Sequence, residues 1–278
     1  MNLIESSVLI WLASALAGFL GALTGLGGGV VVTPVLTLLF GVDLRYAMGA
    51  SLVSVIATSS AAASAFLKEG FSNIRIGMFL EIATTLGAVI GAFLAPLVPA
   101  SALAILLGLV LLHSAYLSTR RRHDTGGAAP VDPLAQRLRL SSTYPGPDGE
   151  RGYEVRRVKA GFAMMTGAGI ISGLLGIGSG AFKVIAMDQI MRIPFKVSTT
   201  TSNFMIGVTA AASAGVYLHR GFIDPVLAMP VMLGVTTGSL IGARRLAGAQ
   251  PRVLRLVFGV VVGLLALEMI YSGLTRRF

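Results

Sequence analysis

The sequence predicts an all-α polytopic membrane protein made of two inverted repeats. Each repeat is a glycine-broken helical hairpin followed by three transmembrane helices. Three observations carry the prediction. Of the 278 residues, 54% are hydrophobic and 12% charged, about half the charged share of a soluble domain. The stretch Gly25-Leu26-Gly27-Gly28-Gly29 interrupts one apolar run and returns, altered, as Gly176-Ile177-Gly178-Ser179-Gly180 in another. The two halves also align without a gap at a constant offset of 151 residues, so that 17–29 lies on 168–180.

Apolar runs bounded by Pro, Gly and charge fall at 7–24, 30–40, 47–66, 74–95 and 101–117, then at 160–175, 181–191, 197–218, 222–243 and 253–272. A membrane span needs about 20 apolar residues. Runs 30–40 and 181–191 reach only about 16 Å as helices, so they read as half-helices. Glycine is the poorest ordinary helix former, so four glycines in five residues break a helix. Inside a bilayer the freed backbone groups need partners, and such a break survives only in protein or beside a cavity. Two matching breaks in the two halves point to a transporter binding site.

The repeat extends beyond the glycines. Ser51 lies on Ser202, Thr58 on Thr209, Gly70-Phe71 on Gly221-Phe222, and Gly87 on Gly238. Positive charge then sets the handedness. If each broken pair folds back as a hairpin, Lys68, Arg75, Arg192, Lys196, Arg244, Arg245, Arg252 and Arg255 share one side with the central segment, and Arg45, Arg220, Arg276 and Arg277 lie opposite. The central segment adds nine more cations to the first side. The positive-inside rule favours this arrangement, with both termini outside. An odd number of spans per half makes the repeats inverted.

Three segments follow: a first transmembrane repeat at 1–117, a linker at 118–159 and a second repeat at 160–278. The linker holds Arg120 to Arg122, Gly126-Gly127, Pro130, Pro133, Pro145 and Pro147. With little apolar material for a core, it reads as a basic, cytoplasmic and largely disordered spacer. The net charge of +10 gathers there and at helix ends, where orientation and anionic lipid explain it. No basic stripe interleaved with aromatics suggests nucleic acid. There is no cysteine, which excludes disulfides, thiolate catalysis and Fe–S clusters. The first residues, Met1 to Glu5, carry no basic n-region, so the first apolar run is expected to be retained.

Lys183 is the sharpest single residue. It stands three positions past the second glycine stretch, and its repeat partner is Val32. An ionisable group inside a membrane is functional by default unless it snorkels or pairs, here with Asp188. The residue after each glycine stretch starts a half-helix with unpaired N–H groups. Two such starts meeting near the midplane make an anion site, to which Lys183 adds a full charge and Ser179 a hydroxyl. The candidate substrate-binding residues are Gly25, Gly27, Gly28, Gly29, Ser51, Gly176, Gly178, Ser179, Gly180, Lys183, Ser202 and Asn203. Glu81, opposite Met232 in the repeat, is a candidate proton-coupling carboxylate or the partner of an arginine near a helix end. Gly87/Gly91 and Gly238/Gly242 suit tight helix packing. No dinucleotide fingerprint, P-loop or metal-ligand spacing is present, and no cofactor or metal is expected.

At Gly25-Leu-Gly-Gly-Gly-Val-Val-Val-Thr-Pro and Gly176-Ile-Gly-Ser-Gly-Ala-Phe-Lys-Val the sequence resembles the sulfite exporter TauE/SafE family of membrane permeases. The resemblance covers nearly the whole chain apart from the linker. It implies transport of sulfite, organosulfonates or related small anions across the cytoplasmic membrane, and it places the tip glycines and Lys183 in the substrate region. Ile185 stands where the family often has proline, as Pro34 does in the first half.

The expected function is therefore secondary transport of a small sulfur-containing anion, in the direction of export, by alternating access around a midplane site. The expected partners are that anion, the lipid bilayer and a second copy in a homodimer. A cation or amino-acid transporter using Glu81 and Asp188 is the alternative, with a membrane scaffold or intramembrane enzyme behind it.

Overall fold

The structure, a computed structural model, describes residues 3–24, 29–68, 70–119, 132–146, 149–246 and 251–275. The first half forms α1 (Leu3–Thr24), α2 (Gly29–Phe40), α3 (Leu44–Lys68), α4 (Ile74–Leu94) and α5 (Ala100–Thr119). A short helix, α6 (Pro133–Arg137), and an antiparallel pair of strands, β1 (Ser142–Gly146) and β2 (Gly149–Tyr153), follow. The second half forms α7 (Val158–Leu175), α8 (Gly180–Ile185) running into a π-helical turn (Ala186–Ile190), α9 (Phe195–His219), α10 (Pro225–Leu246) and α11 (Pro251–Leu274). The two short segments expected after the glycine stretches are α2 and α8 with its π turn. Pro34 sits inside α2, whereas the equivalent part of the second half widens into the π turn just after Ile185.

Among the described residues, three helices are long and apolar enough to cross a membrane: Ile74–Leu97, Val158–Leu175 and Pro225–Gly242. Shorter apolar helices run over Glu5–Leu20, Gly29–Phe40, Ala100–Tyr116 and Gly259–Leu274. On α4 one face buries Leu80, Ala83, Ala88 and Ala92, while Ile82, Leu86, Ile90 and Phe93 point outward. A helix apolar on all sides suits a lipid surround.

Helices pair across the halves: α1 with α10, α4 with α7, α3 with α9 and α5 with α11. The contacts recur at the 151-residue offset. A methyl group on Gly18 would meet the backbone of Val235, and one on Gly169 would meet that of Thr84. One on Gly87 would strike the Thr166 carbonyl, and one on Gly238 the Ala15 carbonyl. In each pair of contacts both members shift by the same 151 positions. Glycine lets the helix backbones touch at these points. Along α5 and α11, Gly108 faces Ala266 and Ile270, whereas Gly273 faces Ser101 and Ile105. These two helices therefore run antiparallel.

The second glycine stretch turns the chain back on itself. The Arg156 N–H, just before α7, donates to the Met191 carbonyl, just after the π turn, at 3.0 Å. Entry to α7 and exit from the π turn thus lie side by side. At that end, Arg75 Nη1 donates to the Arg139 carbonyl at 2.9 Å, and the Lys196 ammonium stands 3.6 Å above the Phe71 ring. Arg45 sits at the other end, donating to the Pro96 and Val98 carbonyls at 3.3 Å each. Arg220 is there too, 5.8 Å from the Phe93 ring. Arg192 directly follows Met191, at the same end as Arg156, and the remaining members of the charge count (Lys68, Arg244, Arg245, Arg252, Arg255, Arg276 and Arg277) lie outside the described side chains.

Residues 132–146 and 149–159 depart from the expected disordered spacer. Asp132 accepts from the Leu134 N–H at 2.9 Å and, through its other oxygen, from the Val158 N–H at 2.8 Å. One carboxylate thus caps α6 and starts α7. Ala135, Leu140 and Val155 are buried in one cluster with Ile76, Leu80, Met187, Ile193 and Val197. Asn73 ties the segment down, donating to the Leu140 carbonyl at 3.0 Å and to the Tyr153 hydroxyl at 2.7 Å. Burial raises the Tyr153 pKa, and the hydrogen bond from Asn73 partly offsets it. The segment has too few apolar residues for a core of its own. It folds because the ends of α4, α7 and α9 supply the other half. Residues 120–131, with Arg120 to Arg122, lie outside the described residues.

Candidate functional site

The second glycine tip is a run of left-handed backbone. Gly176 (φ 65°) ends α7, its N–H donating to the Ser172 carbonyl at 2.8 Å. Gly178 (φ 73°) and Ser179 (φ 49°) follow, and α8 starts at Gly180. A serine in this conformation costs on the order of 1 kcal/mol relative to glycine. The matching position in the first half is Gly28, so the fold would accept glycine here. Ser179 is 3% exposed, and its hydroxyl has no hydrogen-bond partner among the described residues. A strained residue that keeps a buried, unpartnered hydroxyl is a functional candidate.

The two tips converge. Gly29, the first residue of α2, packs against Val55 and Ser51. Gly178 packs against Ile206 and, at 3.1 Å for an added Cβ, the same Val55. A single valine side chain of α3 therefore touches both. Ser51 donates its hydroxyl to the Gly29 carbonyl at 2.9 Å, and Ser202 donates to the Gly180 carbonyl at 3.3 Å. This is the same bond, 151 positions on, and each fastens the start of a short helix to the long helix after it. Asn203 is buried beside Ser202. Gly25, Gly27 and Gly28 lie outside the described residues.

Lys183 is wholly buried. Its ammonium donates to Thr209 Oγ1 on α9 and lies 3.7 Å from Glu81 Oε2 on α4. The Thr209 hydroxyl donates in turn to Glu81 Oε1, which also accepts from Thr85 at 3.1 Å. A hydroxyl has one proton, so Thr209 accepts from the cation and donates to the anion. At 3.7 Å the charged groups attract without a direct hydrogen bond. The result is a cation–hydroxyl–carboxylate chain joining α8, α9 and α4. The lysine for which the sequence suggests Asp188 as a pairing partner thus faces the carboxylate of Glu81. Glu81, whose expected ionic partner was an arginine near a helix end, faces this lysine in the interior instead.

The positions equivalent to Lys183 and Glu81 at the 151-residue offset are Val32 and Met232. One of two matching places in the fold has become ionic while the other stays apolar. Thr209 and Thr85 escaped the sequence reading of the site. The available signal was the alignment of Thr58 with Thr209. Among the described residues, no group of three or more His, Asp or Glu could hold a metal ion.

The family profile described as Sulfite exporter TauE/SafE matches residues 10–269. The probable membrane transporter protein YunE of Bacillus subtilis is 26% identical over 97% of this chain and 99% of its own length. The probable membrane transporter protein YdhB of the same organism is 30% identical over 85% of this chain and 87% of its own. A probable membrane transporter protein of Xylella fastidiosa is 27% identical over 97% of each. No solved structure matches the chain. The apolar helices and these relatives describe a multi-pass membrane transporter. With its profile match spanning nearly the full length, the chain belongs to the sulfite exporter TauE/SafE family.

Proposed function

We propose that the protein is a secondary transporter that moves a small sulfur-containing anion, sulfite or an organosulfonate, out across the cytoplasmic membrane by alternating access around the glycine tips. The convergence of both tips on Val55, with a buried unpartnered hydroxyl at Ser179 and a buried ammonium one helical turn on, carries this reading. Tip amides, Ser179 and Lys183 would hold the oxyanion by charge-assisted hydrogen bonds. Ser51 and Ser202 would hold the half-helix starts in place, and Asn203 would offer an amide donor.

Two features support inverted repeats: the 151-residue recurrence of contacts, and the antiparallel run of α5 against α11. Helices equivalent in the two halves run antiparallel when the relating axis lies across them. The clustering of Arg75, Arg139 and Lys196 at the linker end supports a cytoplasmic linker and outside termini. A cation carrier would need a free intramembrane carboxylate, and Glu81 already faces Lys183. With no nucleotide-binding motif in the sequence, ion or solute gradients would drive the cycle.

A thermal-shift screen of the purified protein tests the reading. Sulfite, thiosulfate, sulfoacetate and taurine are compared with sulfate and with sodium and potassium chloride. A ligand at a hundred times its Kd stabilises the folded state by about 2.7 kcal/mol, so one or more sulfur anions raise Tm above the salt controls. Equal curves for every anion would contradict the assignment.

A further inference from the structure

Glu81 does not hold the anion in the reading above, yet it is the counterion that an anion at Lys183 must replace. Resting on that transport reading, we propose that the anion and Glu81 exchange places as partner of Lys183. Glu81 takes up one proton for each monovalent anion bound, which makes the protein a proton–anion symporter.

Three observations converge. The Lys183–Glu81 pair is buried, at 0% and 8% side-chain exposure. An uncompensated charge there costs several kcal/mol, so the site keeps its net charge near zero. The contact is also loose. At 3.7 Å it is bridged by Thr209, and Glu81 Oε2 has no hydrogen-bond partner among the described residues. Lys183 can therefore leave Glu81 without breaking a direct bond to it, giving up only its hydrogen bond to Thr209. Finally, Ser179 stands at the start of α8 and its carbonyl accepts from the Lys183 N–H at 3.2 Å, so the two residues are one helical turn apart. An anion against the Ser179 hydroxyl lies within reach of the same ammonium.

Charge balance then fixes the proton. The empty site holds Lys⁺ and Glu⁻. A monovalent anion brings the sum to −1, and one proton from water on Glu81 Oε2 restores zero. Oε1 keeps the hydrogen bonds from Thr209 and Thr85 throughout. The groups facing Glu81 are Lys183 from α8, Thr209 from α9 and Thr84 and Thr85 from its own helix. The other charged or titratable residues of the helices packed on it stand toward helix ends: Arg75 on α4, Lys159 on α7, and Lys196, Tyr217 and His219 on α9. Tyr217 donates to the Gly173 and Leu174 carbonyls. Apart from Lys183, no cation on α4, α7, α8 or α9 is placed to neutralise Glu81. Carriage of a monovalent anion is then electroneutral, and its net direction follows the sum of the anion and proton gradients. An outward anion gradient that exceeds the inward proton gradient carries both out.

Proteoliposomes with an internal pH dye and the membrane potential clamped at zero test this. The probe is methanesulfonate, whose charge does not change in the working pH range. Wild type should acidify the lumen by one proton per anion entering. An inward proton gradient of one pH unit should accumulate the anion about tenfold. Glu81→Gln should still exchange labelled for unlabelled methanesulfonate but lose proton movement and pH-driven accumulation. The wild-type measurement decides the matter even where the variant fails to fold. Wild-type methanesulfonate flux without lumen acidification would overturn the coupling and leave anion transport standing. So would sulfite flux identical in wild type and Glu81→Gln at every pH. No saturable flux of either anion would overturn both.

Discussion

The ammonium of Lys183 lies 3.7 Å from the carboxylate of Glu81, with the Thr209 hydroxyl between them. The two residues belong to different halves of the chain and to different helices, one short and one long. Their apolar equivalents, Val32 and Met232, show that the fold does not need charge at such a place.

That pairing predicts a specific pattern of stabilities. Removing one member leaves a buried charge alone, which costs about 3–5 kcal/mol, whereas replacing both by apolar residues of similar size is often neutral. Lys183→Met and Glu81→Met should each lower the unfolding midpoint in detergent. The double variant should recover most of the loss. Additive losses in the double variant would show that the two side chains do not interact.

Ser179 should separate stability from binding. With φ at 49°, Ser179→Gly relieves strain and should hold or raise stability by about 1 kcal/mol. The same change removes the buried hydroxyl and should weaken sulfite-induced stabilisation in the thermal-shift assay. A variant that binds sulfite as wild type does would remove Ser179 from the site.

Helix contacts through glycine should be unforgiving where backbone meets backbone. Gly169→Ala sets a methyl against the Thr84 backbone, and Gly238→Ala sets one against the Ala15 carbonyl. Overpacking of this kind costs about 1–3 kcal/mol. Gly263→Ala, with open space around its α-carbon, should be tolerated. Detergent-solubilised yield and unfolding midpoint read the difference.

The folded linker should depend on Asn73 and Asp132. Asn73→Ala removes a helix cap and two tethers, and Asp132→Ala uncaps two helices. Each cap contributes about 1 kcal/mol. Both variants should speed tryptic cleavage at Arg137, Arg139 and Arg151 while leaving the membrane core intact. Unchanged cleavage rates would mean that the segment holds itself together by other contacts.

What the sequence disclosed follows from how local each signal is. Glycine breaks, short apolar runs and the 151-residue offset are local or periodic, so the hairpin of α7 and α8 and the convergence of its tip with α2 could be anticipated. Ser51 and Ser202 stood out by their matching positions, but their bonds to Gly29 and Gly180 became visible only in three dimensions. The partner of Lys183 could not be found by spacing, because Glu81 comes from another helix of the other half. The order in residues 132–146 and 149–159 was hidden for a related reason. Leu140 and Val155 lack a core within their own segment and borrow one from Ile76, Ile193 and Val197.

The most direct measurement is sulfite flux into proteoliposomes carrying Lys183→Met/Glu81→Met, a variant expected to remain folded but to lack the buried charge. Wild type should show saturable flux, and the variant should fall at least tenfold, since even one charged hydrogen bond contributes roughly 1.5–3 kcal/mol. A folded double variant that carries sulfite as fast as wild type would contradict an ionic site at the glycine tips.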